Sequence, residues 1–221
     1  MSKAEILGNV RRGLKRGEAS DAQRQVVRQR LENRRANLIP ARAQLPVSGQ
    51  VELFKTMARE AAADLIELNT MDEVPAVAAE WLRHHHIEEL VCANDEIVAT
   101  LDWAGTADIR RETRVARAGD LASLTSCFAG IAETGTLMLY SQPESPTTLN
   151  FLPDNHLVIL RRSQIVGVYE DAWQLLRDAT GGKMPRTVNM ITGPSRSADI
   201  EQKLQMGAHG PRTLVILLVN D

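Results

Sequence analysis

Residues 51–93 read VELFKTMAREAAADLIELNTMDEVPAVAAEWLRHHHIEELVCA, and this stretch decides the fold. From Val51 to Ala63, the residues Leu53, Met57 and Ala61 fall near one face at helical spacing. Leu65-Ile66-Glu67-Leu68 is a short strand-like run. Val74 to His85 is helical again, with Pro75 acceptable in the first turn, where its missing N–H is not needed. Leu90-Val91-Cys92-Ala93 is a second short apolar strand. Helix, strand, helix, strand is the rhythm of a parallel sheet covered by helices.

The rhythm continues toward the carboxyl terminus with one change in the middle. Phe128 to Tyr140 has strand-formers around Gly130 and Gly135 and leads into a proline-rich turn at Ser141–Pro146. His156 to Leu160 is an apolar strand. Tyr169 to Ala179 is amphipathic and stops at Gly181-Gly182. Val188 to Thr192 leads into Gly193-Pro194. A helix at about 196–206 and a final strand at 213–219 complete the expected order.

Toward the amino terminus the charge changes sign. Residues 1–45 hold 11 Lys and Arg against 4 Asp and Glu, a net of +7, whereas the remainder holds 15 against 24, a net of −9. Residues 1–45 therefore read as a basic helical arm, and Pro40 and Pro46 mark a linker at 40–48 before an α/β domain at 50–221. Such an arm suits an acidic protein surface or nucleic acid. The absence of interleaved aromatics and of any nucleic-acid signature weighs against nucleic acid.

The 221 residues are 43% apolar, enough for one buried core. The longest aliphatic run, Leu214–Val219, is far short of the roughly 18 residues that span a bilayer. No secretory h-region opens the sequence. The two cysteines, Cys92 and Cys127, form no CxxC pair and cannot supply the three or four thiolates of a zinc or iron–sulfur site. They read as small hydrophobes or, less simply, as reactive thiols. The absence of a disulfide framework fits a reducing, cytoplasmic setting. His84-His85-His86 is poorly spaced for a metal, because neighbouring helical side chains diverge by about 100°. A basic cluster at a helix carboxyl end is the better reading.

Three polar segments abut apolar strands. Ala132-Glu133-Thr134-Gly135-Thr136 offers an ionisable group beside hydroxyls and a glycine free to take positive φ. The plainer alternative is a hairpin with an exposed glutamate. Leu152-Pro153-Asp154-Asn155-His156 places a histidine at a strand start, as proton carrier, ligand or structural residue. Thr192-Gly193-Pro194-Ser195-Arg196-Ser197-Ala198-Asp199-Ile200-Glu201 would open a helix whose N–H groups face an anion, unless Asp199 and Glu201 cap it themselves. Gly207-Ala208-His209-Gly210-Pro211 forms a tight turn before the last strand.

These four segments, in this order and spacing, resemble the LUD domain family of lactate-utilization proteins. The resemblance is specific from about residue 90 onward and diffuse in the arm. Ser197 stands where Thr is commoner, and Ala208 where Val is commoner. The resemblance implies a Rossmann-like α/β sandwich of the ribose-phosphate isomerase and CoA-transferase type, with an N-terminal helical arm. It also implies a non-redox subunit of a cytosolic complex oxidising L-lactate to pyruvate, with no cofactor of its own and two partner proteins that carry iron–sulfur clusters. The alternative is a stand-alone enzyme of that fold group acting on a phosphorylated or CoA-linked molecule.

On this reading Glu133, His156 and His209 are the candidate catalytic residues. Thr134, Gly135, Thr136, Gly193, Ser195, Arg196, Ser197 and Gly210 would bind a small carboxylate or phosphate. They are expected to meet in one pocket at the ends of the central strands. No metal site and no membrane segment are expected.

Overall fold

A computed structural model describes residues 2–33, 38–200, 203–207 and 209–221. It divides into two units, Met1–Leu38 and Ile39–Asp221. The first unit holds α1 (Lys3–Gly13) and α2 (Asp21–Asn33). The Ser2 hydroxyl accepts from the Glu5 N–H, and the Glu5 carboxylate accepts from the Ser2 N–H, so α1 begins with a reciprocal cap. Neither helix buries a described residue.

The second unit opens with a short 3-10 turn at Ala41–Ala43, whose Ala43 is buried. Then come α3 (Val47–Glu60), β1 (Asp64–Leu68), α4 (Val74–His84), β2 (Glu89–Cys92), the single turn α5 (Glu96–Ala99), β3 (Arg110–Thr113) and β4 (Ala122–Ser126). A compact antiparallel excursion follows, with β5 (Ala129–Ile131) and β6 (Thr136–Tyr140), before β7 (Asn155–Arg161) returns to the main sheet. After it come β8 (Ile165–Val166), α6 (Tyr169–Ala179), β9 (Val188–Ile191), β10 (Arg196–Ile200), β11 (Lys203–Met206) and β12 (Thr213–Val219).

The main sheet has six parallel strands in the order β1-β12-β7-β4-β2-β3. Its central strands are buried on both faces, which is why their sequences are continuously apolar. Alternation then divides their side chains between two cores. Leu157, Ile159, Val215 and Leu217 pack with Val74, Ala78 and Leu82 of α4. Val158, Leu160, Leu214, Ile216 and Leu218 pack with Val51, Phe54 and Ala58 of α3 and with Leu137 and Leu139 of β6. A second sheet, ordered β8-β5-β6-β9, thus lies over the face that α3 also covers, and α6 closes its outer side through Ala172 and Leu176. The fold is a layered α/β sandwich.

One expected element is different. Residues 196–206 were expected to be helical, but β10 and β11 pair antiparallel, with Arg196 opposite Met206 and Ser197 opposite Gln205. The helix start proposed to cradle an anion after Pro194 is therefore absent. The plainer reading of residues 132–136 holds for the backbone, since β5 and β6 pair antiparallel across residues 132–135, but its glutamate, Glu133, is buried rather than exposed.

Candidate functional site

β7 enters the sheet between β12 and β4, so its second residue, His156, is fully buried. Its Nε2 lies 2.8 Å from the Thr125 hydroxyl of β4. Its Nδ1 is buried and has no hydrogen-bond partner among the described residues. Burial pushes the imidazole pKa down to about 3, so the ring is neutral at pH 7. A neutral ring has one donor and one acceptor. If the Thr125 hydroxyl donates to Nε2, an Nδ1–H is left for another molecule.

That ring lines a cavity of about 240 Å³. Asn150 also lines it, at the end of a 3-10 turn (Thr147–Asn150) that follows the proline-rich segment. Asn150 is 3% exposed, and its Oδ1 is likewise without a partner. Two buried polar atoms without partners on residues that line one cavity are costly unless something satisfies them. Apolar walls come from Met190, Ile191, Pro194 and Leu214. Among the described residues no Lys or Arg contributes to the lining.

The turn after β9 forms another wall. Gly193 has φ +67°, and a methyl group there would lie 2.0 Å from the Ala61 carbonyl oxygen, just past α3. Only glycine fits so close an approach in that conformation. Ser195 is tied to the loop before β12 at three points. Its N–H donates to the Pro211 carbonyl (2.8 Å), its carbonyl accepts from Gly207 N–H (2.8 Å), and its hydroxyl accepts from His209 N–H (3.2 Å). These bonds bring His209 and Gly210 to the cavity rim, with His209 exposed.

The structure thus gathers His156, Gly193, Ser195, His209 and Gly210 around one cavity. Arg196 is not part of it. Its guanidinium donates to the Ala61 carbonyl (2.9 Å), capping the chain leaving α3. The side chain of Ser197 lies outside the described residues, as do Glu201 and Ala208.

The other glycine turn reaches the cavity only indirectly. Gly135 has φ +65°, and a methyl group there would lie 2.3 Å from the Ala58 nitrogen of α3. Thr136 is fully buried at the centre of a hydroxyl chain. Its Oγ1 lies 2.7 Å from Thr134, 2.9 Å from Tyr169 and 2.6 Å from Thr192. Thr192 in turn lines the cavity. Glu133 does not line it. Its side chain is 12% exposed and pairs with the Arg42 guanidinium at 3.6 Å.

The cavity sits at the amino ends of β7 and β12, where His156 and Leu214 are the second residues of their strands. Open α/β sheets usually bind ligands at the other end. Asn150, Thr125, Thr192 and Tyr169 were not singled out from the sequence. None lies in a recognisable motif except Thr192, which adjoins the Gly193 turn.

Among the described residues no three His, Cys, Asp or Glu side chains are grouped to hold a metal. Both cysteines are buried, and burial pushes each thiol up to about 12, so neither is a thiolate at neutral pH. No helix among the described residues is long and apolar enough to cross a membrane.

Comparison with known proteins places the chain. The model of the LUD domain matches residues 51–219. A lactate utilization protein C of Exiguobacterium sp. is 31% identical over 183 residues, 77% of this chain and 78% of the relative. The lactate utilization protein C of Bacillus subtilis is 39% identical over 93 residues, 41% of this chain and 39% of that protein. The crystal structure of a DUF162 family protein from Deinococcus radiodurans superposes with a TM-score of 0.59 at 22% identity, covering 79% of this chain and 99% of that one. That likeness extends to the fold, and the sequence match to nearly all of the α/β unit: the chain belongs to the LUD domain family.

Proposed function

We propose that this chain serves lactate utilization as a non-redox component of a system oxidising L-lactate to pyruvate, and that its cavity binds the small acid. The reading rests on the names of its relatives and on one structural observation. A cavity of about 240 Å³ is lined by His156 and Asn150, whose buried Nδ1 and Oδ1 have no partner among the described residues, and by no described Lys or Arg side chain. An Nδ1–H donor beside an amide acceptor suits a 2-hydroxy acid, with the carboxylate on His156 and the hydroxyl donating to Asn150. A phosphate or a CoA phosphoanhydride would call for fixed cations. The cavity therefore favours a small singly charged acid over the phosphorylated or CoA-linked substrates of the alternative reading.

With its pKa near 3, His156 is too weak a base to take a proton at neutral pH. Its role in this proposal is to orient. Iron–sulfur clusters would reside on two partner proteins, since the two thiols here are separate and protonated. The test is genetic and biochemical. Deleting the gene should abolish growth on L-lactate but not on glucose, and the tagged full-length chain should retain iron–sulfur proteins from lactate-grown cells. Undiminished growth on L-lactate overturns the proposal.

A further inference from the structure

A second cavity, of about 250 Å³, lies at the opposite end of the main sheet. β2 and β4 are neighbours there, but the chain leaves them in opposite directions. From β2 it continues to β3, on the outer side, and from β4 it continues toward β7, on the inner side. The carboxyl ends of β2 and β4 therefore flank the topological switch point of the sheet, where open α/β sheets form a crevice. The segment after β2 supplies Asp95 and Ile97 to this cavity, and the end of β4 supplies Ser126 and Phe128. Tyr140, at the end of β6, forms another wall.

Glu96, Gln142, Ser145 and Gln164 also line the cavity, and the one buried polar side-chain atom of its described lining without a partner is acidic. Asp95 uses Oδ1 to accept from the Val98 N–H at 3.3 Å. Its Oδ2 is buried and has no partner among the described residues. A buried carboxylate oxygen without a donor is expensive, and among the described residues no Lys or Arg lines the cavity to supply one. Beside the carboxylate the rings of Phe128 and Tyr140 meet edge to face, with centroids 5.2 Å apart. Aromatic faces attract cations. Ile97 and Leu139 complete an apolar wall.

We infer that this crevice is a second ligand site, for a small molecule bearing a primary ammonium group on a short apolar body. The ammonium donates to Asp95 Oδ2, and the body packs on Ile97, Phe128 and Leu139. The inference is independent of the lactate proposal, because the two cavities lie at opposite ends of the sheet.

Titration of the full-length ¹⁵N-labelled chain with n-butylammonium, 1-butanol and butyrate isolates the charge, since the three share one alkyl body. The ammonium should shift the amide signals of residues 95–97 and 126–128 saturably at roughly millimolar to tens of millimolar concentration, and the other two should not. Asp95→Asn retains an oxygen to cap the following turn, so it should keep the rest of the spectrum while weakening the ammonium at least about tenfold. The inference fails if butanol or butyrate shifts these amides as strongly, if Asp95→Asn binds the ammonium as well as the wild type, or if the ammonium leaves these signals unmoved. Should Asp95→Asn unfold the chain, the three-probe comparison on the wild type still decides.

Discussion

The two glycine turns at 132–136 and 192–195 share a local design and differ in what they face. Each puts a glycine at positive φ against the carboxyl end of α3, Gly135 on Ala58 and Gly193 on Ala61. Their threonines touch, Thr136 to Thr192, at 2.6 Å. Beyond that bond the turns diverge. The second forms a cavity wall together with His156 and Asn150. The first turns its carboxylate toward Arg42. Motifs that look alike in sequence, polar and centred on glycine beside an apolar strand, can hold one helix end in common while only one of them faces a ligand space.

The strongest way to break the shared half of this comparison is to add a methyl group. Gly135→Ala and Gly193→Ala each combine a left-handed backbone with a backbone clash, so each should lose about 3 kcal/mol or more of stability. Urea denaturation measures it. A cost below about 1 kcal/mol for either would mean that the contact with α3 does not fix that turn.

Acid should separate the cavity side from the rest. The His156 pKa falls to about 3 in the folded chain, from an ordinary value near 6.5. The unfolded chain therefore binds the extra proton throughout the window between them. The stability associated with the neutral ring is fully present above about pH 6.5 and is lost as pH falls toward 3, by up to about 1.4 kcal/mol per pH unit. In His156→Gln the slope of stability against pH from 6 to 4 should flatten by most of that amount. An unchanged slope would show that the imidazole is not held neutral.

The bridge between the turns comes next in size. Thr136→Val keeps the shape but strands the hydroxyl of Thr192, while Thr134 and Tyr169 still bond each other at 2.9 Å, and should cost about 1–3 kcal/mol. Tyr169→Phe leaves the contact between Thr136 and Thr192 in place and should cost about 1 kcal/mol. A larger loss in Tyr169→Phe than in Thr136→Val would move the centre of the network away from Thr136.

How far the sequence foretold these features depends on which interactions decide them. The strands at 155–161 and 213–219 were legible because burial on both faces demands an unbroken apolar run. The ribbon at 196–206 was not. Ser195, Ser197 and Asp199 are residues that commonly begin helices, and the pairing of Arg196 with Met206 and of Ser197 with Gln205 leaves no local signal. In the candidate site, the glycines and histidines were visible because few backgrounds explain a glycine or histidine at a strand end. Asn150 was invisible. A lone asparagine in a proline-rich turn ordinarily faces water, and only the tertiary fold buries it to 3% exposure. Arg196 misled for a related reason: a cation beside a glycine turn suggests an anion, but the nearest acceptor is the Ala61 carbonyl.

The smallest expected effect tests whether the first turn is only architecture. Arg42 is 55% exposed at its side chain and meets Glu133 at 3.6 Å. Solvent screens such a pair, so Arg42→Ala and Glu133→Gln should each change stability by less than about 1 kcal/mol. Part of that change should vanish in about 0.5 M salt, where the screening length falls to a few ångströms. If the cavity alone binds the acid, Glu133→Gln should alter L-lactate affinity by less than about twofold, whereas Asn150→Leu, which replaces the orphaned acceptor by an apolar group of similar size, should weaken it about tenfold or more. Isothermal titration against L-lactate compares the two variants directly. A folded Glu133→Gln protein that loses L-lactate binding, or fails to restore growth on L-lactate, would mean that Glu133 acts on the ligand through the hydroxyl chain of Thr134, Thr136 and Thr192. The two turns would then be one site rather than a site and its buttress.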